Sequence, residues 1–77
     1  MTQKTLTQLR KGEIARVHSF FDEEISLKLL EMGCLPQATI ALLHTAPLGD
    51  PICVLVGDYM LALRRRDAEN VLVELIA

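Results

Sequence analysis

The chain has no tryptophan, and its aromatic residues are two phenylalanines and one tyrosine. A groove that holds proline-rich ligands on stacked rings therefore has little to be built from. No GxxxxGK[ST] or GxGxxG run occurs, so no loop is a candidate for cradling phosphate. The two cysteines, Cys34 and Cys53, lack CxxC spacing. A small secreted domain would carry a denser cysteine framework, so both are expected to be buried, reduced thiols of a cytosolic protein. An excess of one charge sign is also missing. The net charge of −2 gives no electrostatic case for nucleic acid. No apolar stretch follows the first five residues, so no signal peptide is read. The uncharged run from Met32 to Gly49 reaches the ~18 residues of a membrane candidate. Pro36, Gln37, His44 and Pro47 interrupt it, and a strand pattern explains it better. Cys34, Cys53, His18 and His44 form no nucleophile–base pattern, so no enzyme is expected.

What is present is apolar content, at 51% of 77 residues. A single domain of this length buries only roughly 60% of its unfolded surface, and a deep cleft is hard to build from it. The organising stretch is Ala46-Pro47-Leu48-Gly49-Asp50-Pro51. Apolar segments flank it over 38–45 and 52–56, and its prolines cannot donate to a strand ladder. Gly57-Asp58 then separates 52–56 from 59–63 as a two-residue, glycine-first hairpin turn. A three-stranded antiparallel meander follows. Residues 13–20 alternate loosely and read as an earlier strand, and 71–76 as a last one. Residues 5–12 read as a lead-in that drops Leu6 and Leu9 onto the core. The expectation is a mainly β fold, a small five-stranded, partly closed barrel.

One principal helix is predicted over 22–32. Asp22 can cap it, with Ser19 as a competing start, and Gly33 ends it. Ile25, Leu29 and Met32 fall in one sector of about 60° and form the core stripe. Leu27 and Leu30 project elsewhere, among Glu23 and Glu31. Either loops such as Cys34-Leu35-Pro36 or the N-terminal lead-in cover them, or they form an apolar patch with a charged rim, the usual make-up of a contact site. A helical turn is predicted over 67–70 with Asp67 as its cap, and Arg64-Arg65-Arg66 as a strand end turning into solvent. His18, Asp22, His44 and Asp50 offer donors to divalent metals but no diagnostic spacing, so no metal site is assigned.

Three blocks, in order, carry a resemblance. Leu29-Leu30-Glu31-Met32-Gly33-Cys34-Leu35-Pro36, the central loop Ala46 to Ile52, and Leu61-Ala62-Leu63-Arg64-Arg65-Arg66-Asp67-Ala68 resemble the FeoA family across nearly the whole chain. One departure is Gln37, where the family commonly has glycine; a left-handed backbone there would strain it. The resemblance implies one domain spanning 1–77, with an SH3-like β-barrel. It implies a cytoplasmic, non-enzymatic accessory protein of bacterial ferrous iron uptake. Its partner would be FeoB, a membrane permease with a cytoplasmic GTP-binding domain. The alternative is a metal-responsive regulatory module similar to the C-terminal SH3-like domain of iron-dependent repressors. No cofactor is expected. Any divalent metal binding would be weak, with His18, His44 and Asp50 as the candidates, and a weak homo-oligomer stays open. The candidate partner contacts are Leu27, Leu30 and Glu31 on the helix, and Pro47, Leu48 and Asp50 in the central loop.

Overall fold

In the computed structural model, which describes residues 2–77, the meander forms as its turn chemistry requires. β3 (Thr39–Thr45), β4 (Ile52–Val56) and β5 (Tyr59–Leu63) pair in sequence, antiparallel. Val56 faces Tyr59 across Gly57-Asp58, with Gly57 at φ +59 and Asp58 not in the positive region. That is the pattern of a tight II′-type turn, which only glycine accepts cheaply in first position. The alternation of β4 is complete. Ile52, Val54 and Val56 are buried, and Cys53 and Leu55 lie half-buried on the other face.

β2 (Ile14–Phe20) packs against β3, and β6 (Val71–Leu75) against β2. Among the described residues the sheet has six strands rather than the expected five, in the order β1-β6-β2-β3-β4-β5. The extra strand, β1 (Gln3–Thr5), pairs with β6 through Gln3↔Glu74, Lys4↔Val73 and Thr5↔Leu72. Three polar residues carry no periodic signal, and their partner strand lies at the far end of the chain. A 3₁₀ turn (Leu6–Gln8) follows and drops Leu6 and Leu9 into the core, 1% and 4% exposed. Register shifts between Val17 and Ser19 and between Leu42 and His44 bend the long strands, as bulges do. The partly closed barrel still ends in two edges, β1 and β5, rather than removing them.

α1 (Glu23–Glu31) lies within the predicted range. Asp22 wins the capping competition: its Oδ1 accepts from the Ile25 N–H at 3.2 Å. The helix ends in a Schellman motif. The Cys34 N–H reaches the Leu29 carbonyl at 2.9 Å and the Gly33 N–H reaches that of Leu30 at 3.1 Å, with Gly33 at φ +96. Leu29 is fully buried, in one cluster with Val17, Cys34 and Val73, and Ile25 and Met32 pack against that cluster. The following turn runs Leu35-Pro36-Gln37-Ala38, closed by the Ala38 N–H on the Leu35 carbonyl at 3.1 Å. Gln37 sits at φ +74, as a type II turn demands at that position. The strain, roughly 1–2 kcal/mol for a non-glycine residue, is held in place by the Gln37 N–H on the Val17 carbonyl at 2.8 Å.

The last helical element differs from expectation. α2 (Arg65–Ala68) starts two residues earlier, with Arg64 rather than Asp67 at its N-cap. Arg64, Arg65 and Arg66 are exposed but open a helix instead of ending a strand. Cys53, expected in the core, is only half-buried on the outer face of β4, because it falls on the odd parity of that strand.

Candidate interaction surface

Asp67 is the one buried charged side chain among the described residues, 6% exposed. Burying a carboxylate is costly unless it is paired. Lys28 of α1 supplies the partner, with Nζ donating to Asp67 Oδ2 at 2.8 Å. The other end of α2 holds the central loop. Its first backbone N–H, that of Arg65, donates to Asp50 Oδ1 at 3.0 Å, so Asp50 serves as a helix cap supplied from another part of the chain. Arg65 Nη1 also donates to the Gly49 carbonyl at 3.3 Å. A four-residue helix thus braces α1 on one side and the Ala46–Pro51 loop on the other.

The loop is also closed on itself. The Gly49 N–H reaches the Ala46 carbonyl at 2.7 Å, and the Ala46 N–H reaches the Pro51 carbonyl at 3.0 Å. Pro47 sits at the second position of that turn, which its fixed φ favours. Leu48 follows at the tip, 97% exposed. Burying a leucine on a chain segment so constrained would cost little further ordering. On α1, Leu27 is 59% exposed, while Leu30 is half-buried rather than projecting freely. Glu23, Glu24 and Glu31 lie three or four residues from Leu27, all exposed, and ring it with acid.

The remaining candidate residues stay apart in role. His18 is exposed on β2, its Nδ1 3.0 Å from Ser19 Oγ. His44 is exposed on β3, opposite Cys53 of β4. Asp50 is engaged by Arg65. Asp22 is the cap of α1. No group of three or more His, Cys, Asp or Glu side chains able to hold a metal occurs among the described residues. Burial pushes the Cys34 thiol up to about 11, which leaves it protonated and a poor nucleophile or ligand at neutral pH. A shallow apolar depression of about 160 Å³ lies between Ile14, Ile40 and Leu55. It falls short of the ~300 Å³ at which small-molecule sites begin. No helix among the described residues is long and apolar enough to cross a membrane. What sequence reasoning missed is the brace. Lys28 and Asp67 are 39 positions apart, and Asp50 and Arg65 are 15 apart, so no local pattern links them.

Comparison with known proteins agrees with this architecture. The FeoA domain model matches residues 4–75. A relative from Porphyromonas gingivalis, an Fe(2+) transport protein A/Fe(2+) transporter FeoB fusion protein, is 44% identical over 50 residues. That match covers 65% of this chain and 6% of the relative. The solution structure of a FeoA-like protein from Clostridium acetobutylicum superposes with a TM-score of 0.89 at 29% identity, covering 100% of this chain and 92% of that one. FeoA of Stenotrophomonas maltophilia, solved with zinc and described as a prokaryotic SH3 domain protein, gives a TM-score of 0.78 at 30% identity, covering 92% and 89%. With a family model matched over almost its full length and the same SH3-like barrel in these structures, the chain belongs to the FeoA family.

Proposed function

We propose that this protein is a non-enzymatic accessory factor of ferrous iron uptake, acting at the cytoplasmic side by contact with the GTP-binding domain of a FeoB-type permease. The observation that carries the reading is the fused relative, in which an Fe(2+) transport protein A segment and an Fe(2+) transporter FeoB segment share one polypeptide. Fusion keeps two folds at high effective concentration, which matters most where they act together. The contact surface of the proposal is the rim around α2: Leu48 with Pro47 and Asp50 on the loop, and Leu27 with Leu30 and Glu31 on α1. An acid-ringed leucine suits an apolar pocket with a basic border. No catalytic step is assigned to the chain. The test is titration of the full chain with the permease's cytoplasmic domain by calorimetry. Saturable binding that Leu48→Glu and Leu27→Glu each weaken, with melting temperatures unchanged, supports the reading. Full binding by both folded variants sends the contact to another face.

A further inference from the structure

The two edges of the sheet are guarded differently. β1 is short and polar, with Lys4 at its centre, the usual protection against strand addition. β5, Tyr59-Met60-Leu61-Ala62-Leu63, has no charge, no proline and no bulge. In the β4–β5 hairpin, Val56 and Tyr59 flank a two-residue turn and form a hydrogen-bonded pair. By alternation Leu61 and Leu63 also bond to β4, while the N–H and C=O of Met60 and Ala62 point away from it. Among the described residues no other strand lies on that side, and Tyr59 and Met60 are 68% and 69% exposed.

We propose that β5 pairs antiparallel with β5 of a second copy of this chain, on a two-fold axis through Leu61, to join the two sheets into one. The strand is self-complementary in that register. Met60 lies opposite Ala62 of the second copy, and the two exchange both main-chain hydrogen bonds; Tyr59 lies opposite Leu63, and Leu61 opposite itself. No like charges meet. Beyond the paired strands, Asp58 on the hairpin turn comes to the same end as Arg64 of the second copy, within reach of that long side chain, and the symmetry makes that pair twice. Both residues are exposed, and neither belongs to an ion pair among the described residues. Arg64 is in extended conformation, at φ −64 and ψ 140, so the strand direction carries through to it. Centring the axis on Met60 or Ala62 instead would leave part of the strand unpaired and lose the Asp58–Arg64 match. This pairing is independent of the permease reading and uses a different part of the surface.

Sedimentation of the full chain over a range of concentrations tests it. A monomer–dimer equilibrium is expected. Arg64→Glu and Asp58→Lys each weaken it about tenfold, because every change counts twice in a two-fold interface. The double variant Asp58→Lys/Arg64→Glu restores it, and circular dichroism verifies that all three stay folded. Hydrogen exchange at the Met60 and Ala62 amides slows as concentration rises. A chain that stays monomeric to about 1 mM, or a dimer indifferent to both reversals with concentration-independent exchange at Met60 and Ala62, overturns the proposal. Protection of those amides only on addition of the permease domain also overturns it, since the occupant is then another protein's strand.

Discussion

Leu29 and Leu27 stand two residues apart on one helix and meet opposite surroundings. Leu29 is fully buried; Leu27 is 59% exposed, and Leu48 on the central loop is 97% exposed. The same side chain closes the core in one place and decorates the rim in another. Helical phase decides the first pair, since 200° separates residues i and i+2. Tertiary bracing decides the third: Leu48 faces solvent because Asp50, Gly49 and Ala46 are tied down around it. Apolar composition alone therefore does not separate core from exposed surface in so small a domain.

The largest effect expected on this contrast comes from the core. Leu29→Ala costs about 2–5 kcal/mol in urea unfolding, and Leu29→Glu abolishes the cooperative transition. Removing the brace comes next. Lys28→Ala strands the buried Asp67 carboxylate and costs about 1–3 kcal/mol, and it loosens the link between α1 and α2, read as faster hydrogen exchange in both. Asp50→Ala removes the cap from α2, costs about 0.5–2 kcal/mol, and raises exchange in the Ala46–Pro51 loop. A loop as well protected as in the parent would contradict the bracing described here.

The two cysteines sharpen the comparison by pH. Burial raises the Cys34 thiol from 9.0 to about 11, while Cys53 lies half-buried on the outer face. The folded state holds the Cys34 proton more tightly than the unfolded chain does. Its contribution is therefore complete below about 9 and is lost as pH climbs through about 11. Stability should fall between those values with a slope approaching ~1.4 kcal/mol per pH unit, and Cys34→Ala should flatten it. A thiol reagent at pH 8 should label Cys53 well before Cys34.

Local signals were the legible ones. The hairpin at Gly57-Asp58, the Asp22 cap, the Gly33 stop and the stripe on Leu29 all follow from rules spanning a few residues, whereas the left-handed backbone at Gln37 was raised only by the resembled family's glycine at that place. β1 was not legible, because three polar residues declare themselves only against β6. The α2 boundary failed for a related reason. Asp67 looks like a cap, yet it serves Lys28, and the capping oxygen comes from Asp50. Of the proposed contact residues, Leu27 falls off the core stripe and Leu48 lies on the loop by local pattern, whereas how far Leu30 is covered depends on tertiary packing and stayed open in the sequence.

The account rests most on the rim leucines being surface in stability and contact in function. The direct measurement is calorimetric titration of Leu48→Glu and Leu27→Glu, beside the parent, against the cytoplasmic domain of a FeoB-type permease, with urea unfolding of the same samples. Unfolding free energies within about 0.5 kcal/mol of the parent, together with affinity reduced at least tenfold, are the predicted result. Two variants as stable as the parent that bind the permease domain as tightly would contradict it.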